Sequence, residues 1–96
     1  MVEMIKFGAE WCGPCRMLKP AMNALTEKYN IEGSAIKITD VDVDKEADTA
    51  KQYNVRNIPT MVFLKDGEEV SRKVGVIGEK EIELIINEIT RTETLN

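Results

Sequence analysis

The segment Val2 to Phe7 is dense in apolar and β-forming residues, which predicts a largely buried strand. From Pro14 the spacing turns helical, with Met17, Leu18, Ala21, Met22, Leu25 and Tyr29 on one face. Pro14 suits a first helical turn, where no amide donor is needed, and Pro20 predicts a kink further along. Gly33-Ser34 leads into a second strand, Ala35 to Val43, and Asp44 is expected to cap a short polar helix from Lys45 to Tyr53. Thr60 to Lys65 and Glu68 to Val74 read as strands around the hairpin signal Asp66-Gly67. A last helix is expected from Glu79 to Thr90 with Ile82, Ile85, Ile86 and Ile89 inward. The order β-α-β-α-β-β-α predicts an α/β fold, a mixed four-stranded sheet with helices on both faces. Its first two strands should be parallel, joined by a right-handed crossover. One domain is expected over residues 1–90, with 91–96 as a polar, frayed tail.

Composition narrows the function. The 96 residues suffice for one core, with 43% apolar and 31% charged positions as in an ordinary globular protein. A formal charge of −4 argues against a general nucleic-acid binder. The chain has no histidine, which excludes Ser-His-Asp and Cys-His catalysis and every histidine-ligated metal within it. No apolar stretch approaches a membrane span, and Met1-Val2-Glu3-Met4-Ile5-Lys6 has no signal-peptide layout, so a cytoplasmic location is expected. The five methionines are read as core filler, and Arg16 and Lys19 as solvated. Asp40-Val41-Asp42-Val43-Asp44 opens like a calcium loop, but Lys45 and Lys51 stand where that loop needs glycine and glutamate.

Cys12 and Cys15 are the only cysteines. In a reducing compartment a C-x-x-C pair is a poor structural staple, and so short a loop constrains the unfolded chain little. A redox dithiol and half of a thiolate metal site remain; tetrahedral zinc would need two further ligands from carboxylates or a second chain. The pair falls where the first strand gives way to the first helix. Cys12 lands at the helix N-cap, facing free backbone N–H groups and the positive end of the helix dipole. Both favour its thiolate, which predicts Cys12 as the exposed nucleophile, with Cys15 nearly one turn further in and more buried. Gly13 allows close approach of a substrate backbone and Pro14 stiffens the turn.

Ala9-Glu10-Trp11-Cys12-Gly13-Pro14-Cys15-Arg16-Met17 followed by Pro20 resembles the active-site segment of the thioredoxin family. Val55-Arg56-Asn57-Ile58-Pro59-Thr60, and Asp66-Gly67 through Val74-Gly75, match further segments in the family's order, so the resemblance covers almost the whole chain. It implies a thioredoxin-like fold and a cis-proline loop at Ile58-Pro59 that faces the cysteines and receives substrate backbone. On the residues alone, Pro59 reads as a trans proline opening a strand. Trp11, Ile58, Val74 and Gly75 would form an apolar docking rim.

Three departures from the family stand out. The chain starts at what resembles the central strand, so one sheet edge is expected to be less covered. Gly8 stands where the family commonly has tryptophan. Lys6 and Asp40 occupy places where the family usually has aspartate and lysine, so the signs are exchanged. Both charges interrupt apolar strand sequence near the C-terminal ends of adjacent parallel strands. The expectation is a partly buried pair beneath Cys15, one member of which takes its proton during resolution, directly or through water. The alternative is two exposed strand-end charges without a part in the chemistry.

The resemblance implies a protein-disulfide reductase, an enzyme working by dithiol–disulfide exchange through Cys12 and Cys15 without a bound cofactor or metal. It implies a thioredoxin reductase as electron donor and disulfide-containing proteins as acceptors. A monomer is expected, with neither nucleic acid nor membrane as partner. The contrasting expectation is a non-catalytic accessory subunit that uses the fold for binding; a dimeric thiolate-bridged metal protein is a third.

Overall fold

The computed structural model describes residues 1–94. Its elements are β1 (Val2–Gly8), α1 (Gly13–Met17), α2 (Lys19–Tyr29), β2 (Ile36–Asp42), α3 (Ala47–Gln52), β3 (Thr60–Lys65), β4 (Glu68–Val74) and α4 (Glu79–Thr94). The sheet order is β2-β1-β3-β4. β1 runs parallel to β2 and antiparallel to β3, and β4 closes the hairpin with β3. This is the mixed α/β sheet that the order of elements predicts.

Alternate strand residues face opposite sides of a sheet, so a strand covered on both sides is largely apolar. Val2 and Met4 of β1 pack with Met61, Phe63 and Ile38 against Leu18, Met22, Leu25, Ile82 and Ile86. That face carries α2 and α4. Ile5 and Phe7 pack on the other face with Val41, Val62, Leu64 and Ala50 of α3. The Phe7 and Tyr53 rings meet at 5.7 Å between centroids. The Cα radius of gyration is 12.9 Å, near the value of about 13 Å expected for a compact chain this long.

Several boundaries differ from the sequence reading, most of them by a single residue, and those of the helices matter most. The first helix is two helices: α1 stops at Met17, and α2 restarts at Lys19 with Pro20 in its first turn, where the missing N–H costs no bond. The break resets the helical phase, so Leu18 is buried while Met17 is 70% exposed and leaves the apolar face assigned to it. With Met1 also exposed, only Met4, Met22 and Met61 fill the core. Asp44 does not cap α3: the chain turns tightly at Asp42, whose carbonyl accepts from the amides of Lys45 and Glu46, and α3 starts only at Ala47. α4 continues past Thr90 to Thr94, because neither proline nor glycine follows to stop it. Leu95 and Asn96, the end of the expected tail, lie outside the described residues.

β2 is an edge strand, and the outer backbone groups of its Ile36 and Ile38 are satisfied by side chains. The Asn30 amide donates to the Ile38 carbonyl and accepts from the Ile38 N–H, both at 2.7 Å. The Ser34 hydroxyl serves Ile36 in the same way, at 2.9 and 3.1 Å. Two side chains thus occupy hydrogen-bonding positions along an edge that could otherwise template another strand. At the far end of α2, Glu83 of α4 accepts from Lys28 Nζ at 2.7 Å and from the Tyr29 hydroxyl at 2.9 Å.

Asn30→Ala should cost about 1 kcal/mol in urea denaturation, since two backbone groups lose a preorganised partner; an unchanged midpoint would show that water replaces the amide without loss. The Lys28 ammonium, then the Tyr29 hydroxyl, hold the Glu83 carboxyl below the ordinary glutamate range. Its folded pKa is therefore depressed relative to the unfolded chain. The stabilisation is fully present above the unfolded value, about 4.3, and is lost as pH falls through the lower folded value. Glu83→Gln should accordingly reduce the fall in stability across that acid window, read from unfolding midpoints at successive pH values.

Candidate active site

The site is built at the C-terminal end of β1. After Gly8 the chain turns through Ala9 to Trp11, with the Cys12 amide donating to the Ala9 carbonyl at 3.2 Å. Cys12 is the N-cap of α1, in extended conformation at φ −86° and ψ 112°. Its Sγ accepts the Cys15 N–H at 3.2 Å, as a capping oxygen would. Pro14 sits in the first turn. One turn of helix brings the Cα atoms of Cys12 and Cys15 to 5.2 Å, and the two sulfurs are joined as a disulfide.

Two expectations change here. Cys12 is not exposed: it is 5% accessible against 3% for Cys15. The loop before β3 folds over it, with Ile58 and Val43 packed against Ala9 and both cysteines and the Ile58 carbonyl oxygen 4.0 Å from Cys12 Sγ. Moreover, α1 is only five residues long, so the directed Cys15 amide, rather than the dipole of a long helix, is the group that polarises Cys12.

The loop residues expected from the resemblance gather beside the cysteines. The Ile58–Pro59 peptide is cis, unlike the trans reading of the residues alone. Pro59 is fully buried, while Val74 is 59% exposed across the ladder from Thr60. Gly75 adopts φ +96°, where a side chain is disfavoured, and its N–H donates to the Pro59 carbonyl at 2.8 Å. The Thr60 hydroxyl closes the loop on the Asn57 carbonyl. Gly13 and Pro14 face solvent. Trp11 is 67% exposed, and its indole N–H donates to Asp44 Oδ2 at 2.8 Å. Asp44 is thus a support of the site that sequence reasoning assigned elsewhere; its only signal was an acid near a strand end.

Lys6 and Asp40 are register partners in β1 and β2. Lys6 Nζ lies 3.2 Å from Asp40 Oδ1. Burial is lopsided: the lysine side chain is 11% exposed and the aspartate 59%. Alternation along β1 puts Lys6 on the same side as Val2 and Met4, the side that also carries Gly8. A Cβ on Gly8 would lie 3.1 Å from Lys6 Nζ and 3.2 Å from Cys15 Sγ. Those two atoms therefore flank a single point left open by the missing side chain. The opening belongs to a cavity of about 540 Å³ lined by Lys6, Gly8, Cys15 and Asp40, with Arg16 and Lys19 also on its wall.

Among the described residues, no group of three or more histidine, cysteine, aspartate or glutamate side chains is arranged to hold a metal ion. No helix there is long and apolar enough to cross a membrane.

The thioredoxin family model matches residues 2–88. A thioredoxin of Bacillus subtilis is 38% identical over 86 residues, covering 90% of this chain and 80% of the relative. One from Porphyra purpurea is 36% identical over 84 residues, covering 88% and 76%. Among solved structures, a mutant thioredoxin from Halobacterium salinarum superposes with a TM-score of 0.80 at 36% identity, covering 93% of this chain and 74% of that one. The oxidised form of mitochondrial thioredoxin 3 from Saccharomyces cerevisiae gives 0.76 at 32% identity, covering 91% and 77%. With the cysteines bonded at the head of α1, these likenesses support dithiol–disulfide exchange and do not favour a non-catalytic accessory subunit. The chain belongs to the thioredoxin family, and its Cys12–Cys15 pair is the redox-active pair of a thiol–disulfide oxidoreductase.

Proposed function

We propose that the chain reduces protein disulfides in the cytoplasm as a monomer, with Cys12 as nucleophile and Cys15 as resolving thiol. The observation that carries the assignment is the Cys15 N–H directed at Cys12 Sγ at 3.2 Å. In the reduced protein the same amide would donate to a Cys12 thiolate, a charge-assisted bond stronger than a neutral one. Cys12 attacks one sulfur of the target disulfide; a Cys12–target bond forms and the other target sulfur leaves as thiolate. Cys15 then loses its proton and attacks Cys12 Sγ. The Cys12–Cys15 bond forms, the mixed disulfide breaks, and two electrons have passed to the target.

Lys6 and Asp40 sit on the far side of Cys15, and the pair takes up the Cys15 proton through the cavity water space, with the more exposed Asp40 handing it to solvent. Trp11, Gly13, Pro14, Ile58, Val74 and Gly75 form the docking surface, and the buried Pro59 shapes the loop beneath it. An extended target segment lies across the Ile58–Pro59 loop by backbone pairing, while Trp11 and Val74 offer apolar contact. The electron donor is a thioredoxin reductase and the acceptors are disulfide-containing proteins.

Insulin-disulfide reduction with a thioredoxin reductase as donor tests the assignment. Cys12→Ser should abolish turnover, whereas Cys15→Ser should accumulate a mixed disulfide through Cys12, visible by mass spectrometry. Trapping through Cys15 in the Cys12→Ser protein, with none through Cys12 in the Cys15→Ser protein, would reverse the roles.

A further inference from the structure

We infer that the Lys6 ammonium favours the thiolate of Cys15, making the cysteine pair a weaker reductant at alkaline pH than an uncharged residue at position 6 would. This rests on the exchange roles proposed for Cys12 and Cys15. It adds a positioning charge to that chemistry and a pH signature.

Gly8 is the structural reason. Because it has no Cβ, Lys6 Nζ and Cys15 Sγ both approach the one point that a side chain there would fill. The lysine stem is buried while Asp40 is 59% exposed, so the cation stands on the sulfur side and the carboxylate on the water side. The other charged residues lining this cavity are Glu10, Arg16, Lys19 and Asp42. Glu10, Arg16 and Lys19 are exposed and Asp42 is half-buried, so solvent weakens their fields at the sulfur. Cys15 belongs to an apolar cluster with Ala9 and Cys12, against which Val43 and Ile58 pack.

Reduction of the disulfide takes two electrons and two protons to give two thiols; where Cys15 ionises, its proton passes to solvent. A disulfide sulfur carries no charge, so the ammonium stabilises only the reduced, ionised form. Stabilising the reduced form raises the potential. Lys6 Nζ and Cys15 Sγ lie 3.1 and 3.2 Å from the point a Gly8 Cβ would fill and so are at most about 6 Å apart, a range in which an opposite charge favours ionisation by roughly 10- to 1000-fold; the Asp40 carboxylate 3.2 Å from Nζ offsets part of the field, so about tenfold is expected. The effect appears only above the pH at which Cys15 begins to ionise, grows to a plateau as that thiol becomes fully ionised, and requires Lys6 to carry its proton.

The test compares thiol–disulfide equilibrium against glutathione for the parent, Lys6→Met and Asp40→Asn across acid to alkaline pH, alongside ultraviolet titration of the thiolates. Lys6→Met should match the parent in acid and become about tenfold more reducing at alkaline pH, about 30 mV for this two-electron couple. Asp40→Asn leaves the cation uncompensated and should move the equilibrium the opposite way. Asp40 is exposed, so that variant keeps the comparison alive should Lys6→Met fold poorly. A gap of equal size at every pH, or a shift of both variants in the same sense, would mark a packing effect and overturn the inference. Failure of the parent to reduce insulin at all would instead remove the exchange reading on which it rests.

Discussion

A backbone amide aimed at a sulfur atom organises this molecule's working end. The Cys15 N–H reaches Cys12 Sγ only because Cys12 is extended at the cap while Cys15 is already helical. That change of conformation over three residues needs a firm base, and β1 supplies it. The strand is packed on both faces, so its last residue, Gly8, delivers the chain to the turn at a set position. From there the Ala9 carbonyl holds the Cys12 amide and Pro14 restricts the first helical turn. Each of these bonds is worth about 1 kcal/mol net, and together they place the sulfurs within bonding reach before any target arrives.

The short α1 follows from the same geometry. Had α1 and α2 been continuous, Pro20 would have sat inside a helix and broken its ladder. By ending α1 at Met17 and starting α2 at Lys19, the chain puts the proline where its missing donor is harmless. The restart also frees α2 to lay Met22 and Leu25 against β1 and β2. Exposed Met17 and Trp11 are therefore consequences of local helix phase and turn geometry, not failures of core packing.

Around the cysteines the protein divides apolar from charged surroundings. On the loop side, Ile58 and Val43 pack against the cluster of Ala9 and the two cysteines, leaving Cys12 only 5% accessible. On the strand side, Gly8 leaves room for the Lys6–Asp40 pair. An ion pair of this kind costs desolvation on the lysine side and little on the aspartate side, because the carboxylate stays hydrated. The arrangement leaves a buried cation with one partner close to a redox sulfur, which is where a charge has the most leverage over thiolate formation.

Much of this was legible in the primary structure. Alternation identified every strand to within a residue or two, because burial on one or two faces imposes a period, whereas the helical spacing read α1 and α2 as one helix and so misplaced Met17. Cys12 at a strand–helix junction announced the chemistry, and the charges at Lys6 and Asp40 stood out against apolar strand. What required the folded chain was everything set by contacts between distant segments: burial of Cys12 under Ile58, the Trp11–Asp44 bond, the cis peptide at Pro59, and the closing of the β2 edge by Asn30 and Ser34. Periodicity reports which face a residue occupies, but it carries no record of which remote group will meet it there. Gly8 illustrates the limit: the sequence marks it as a departure from the family, but only the fold shows Lys6 and Cys15 converging on the space it leaves.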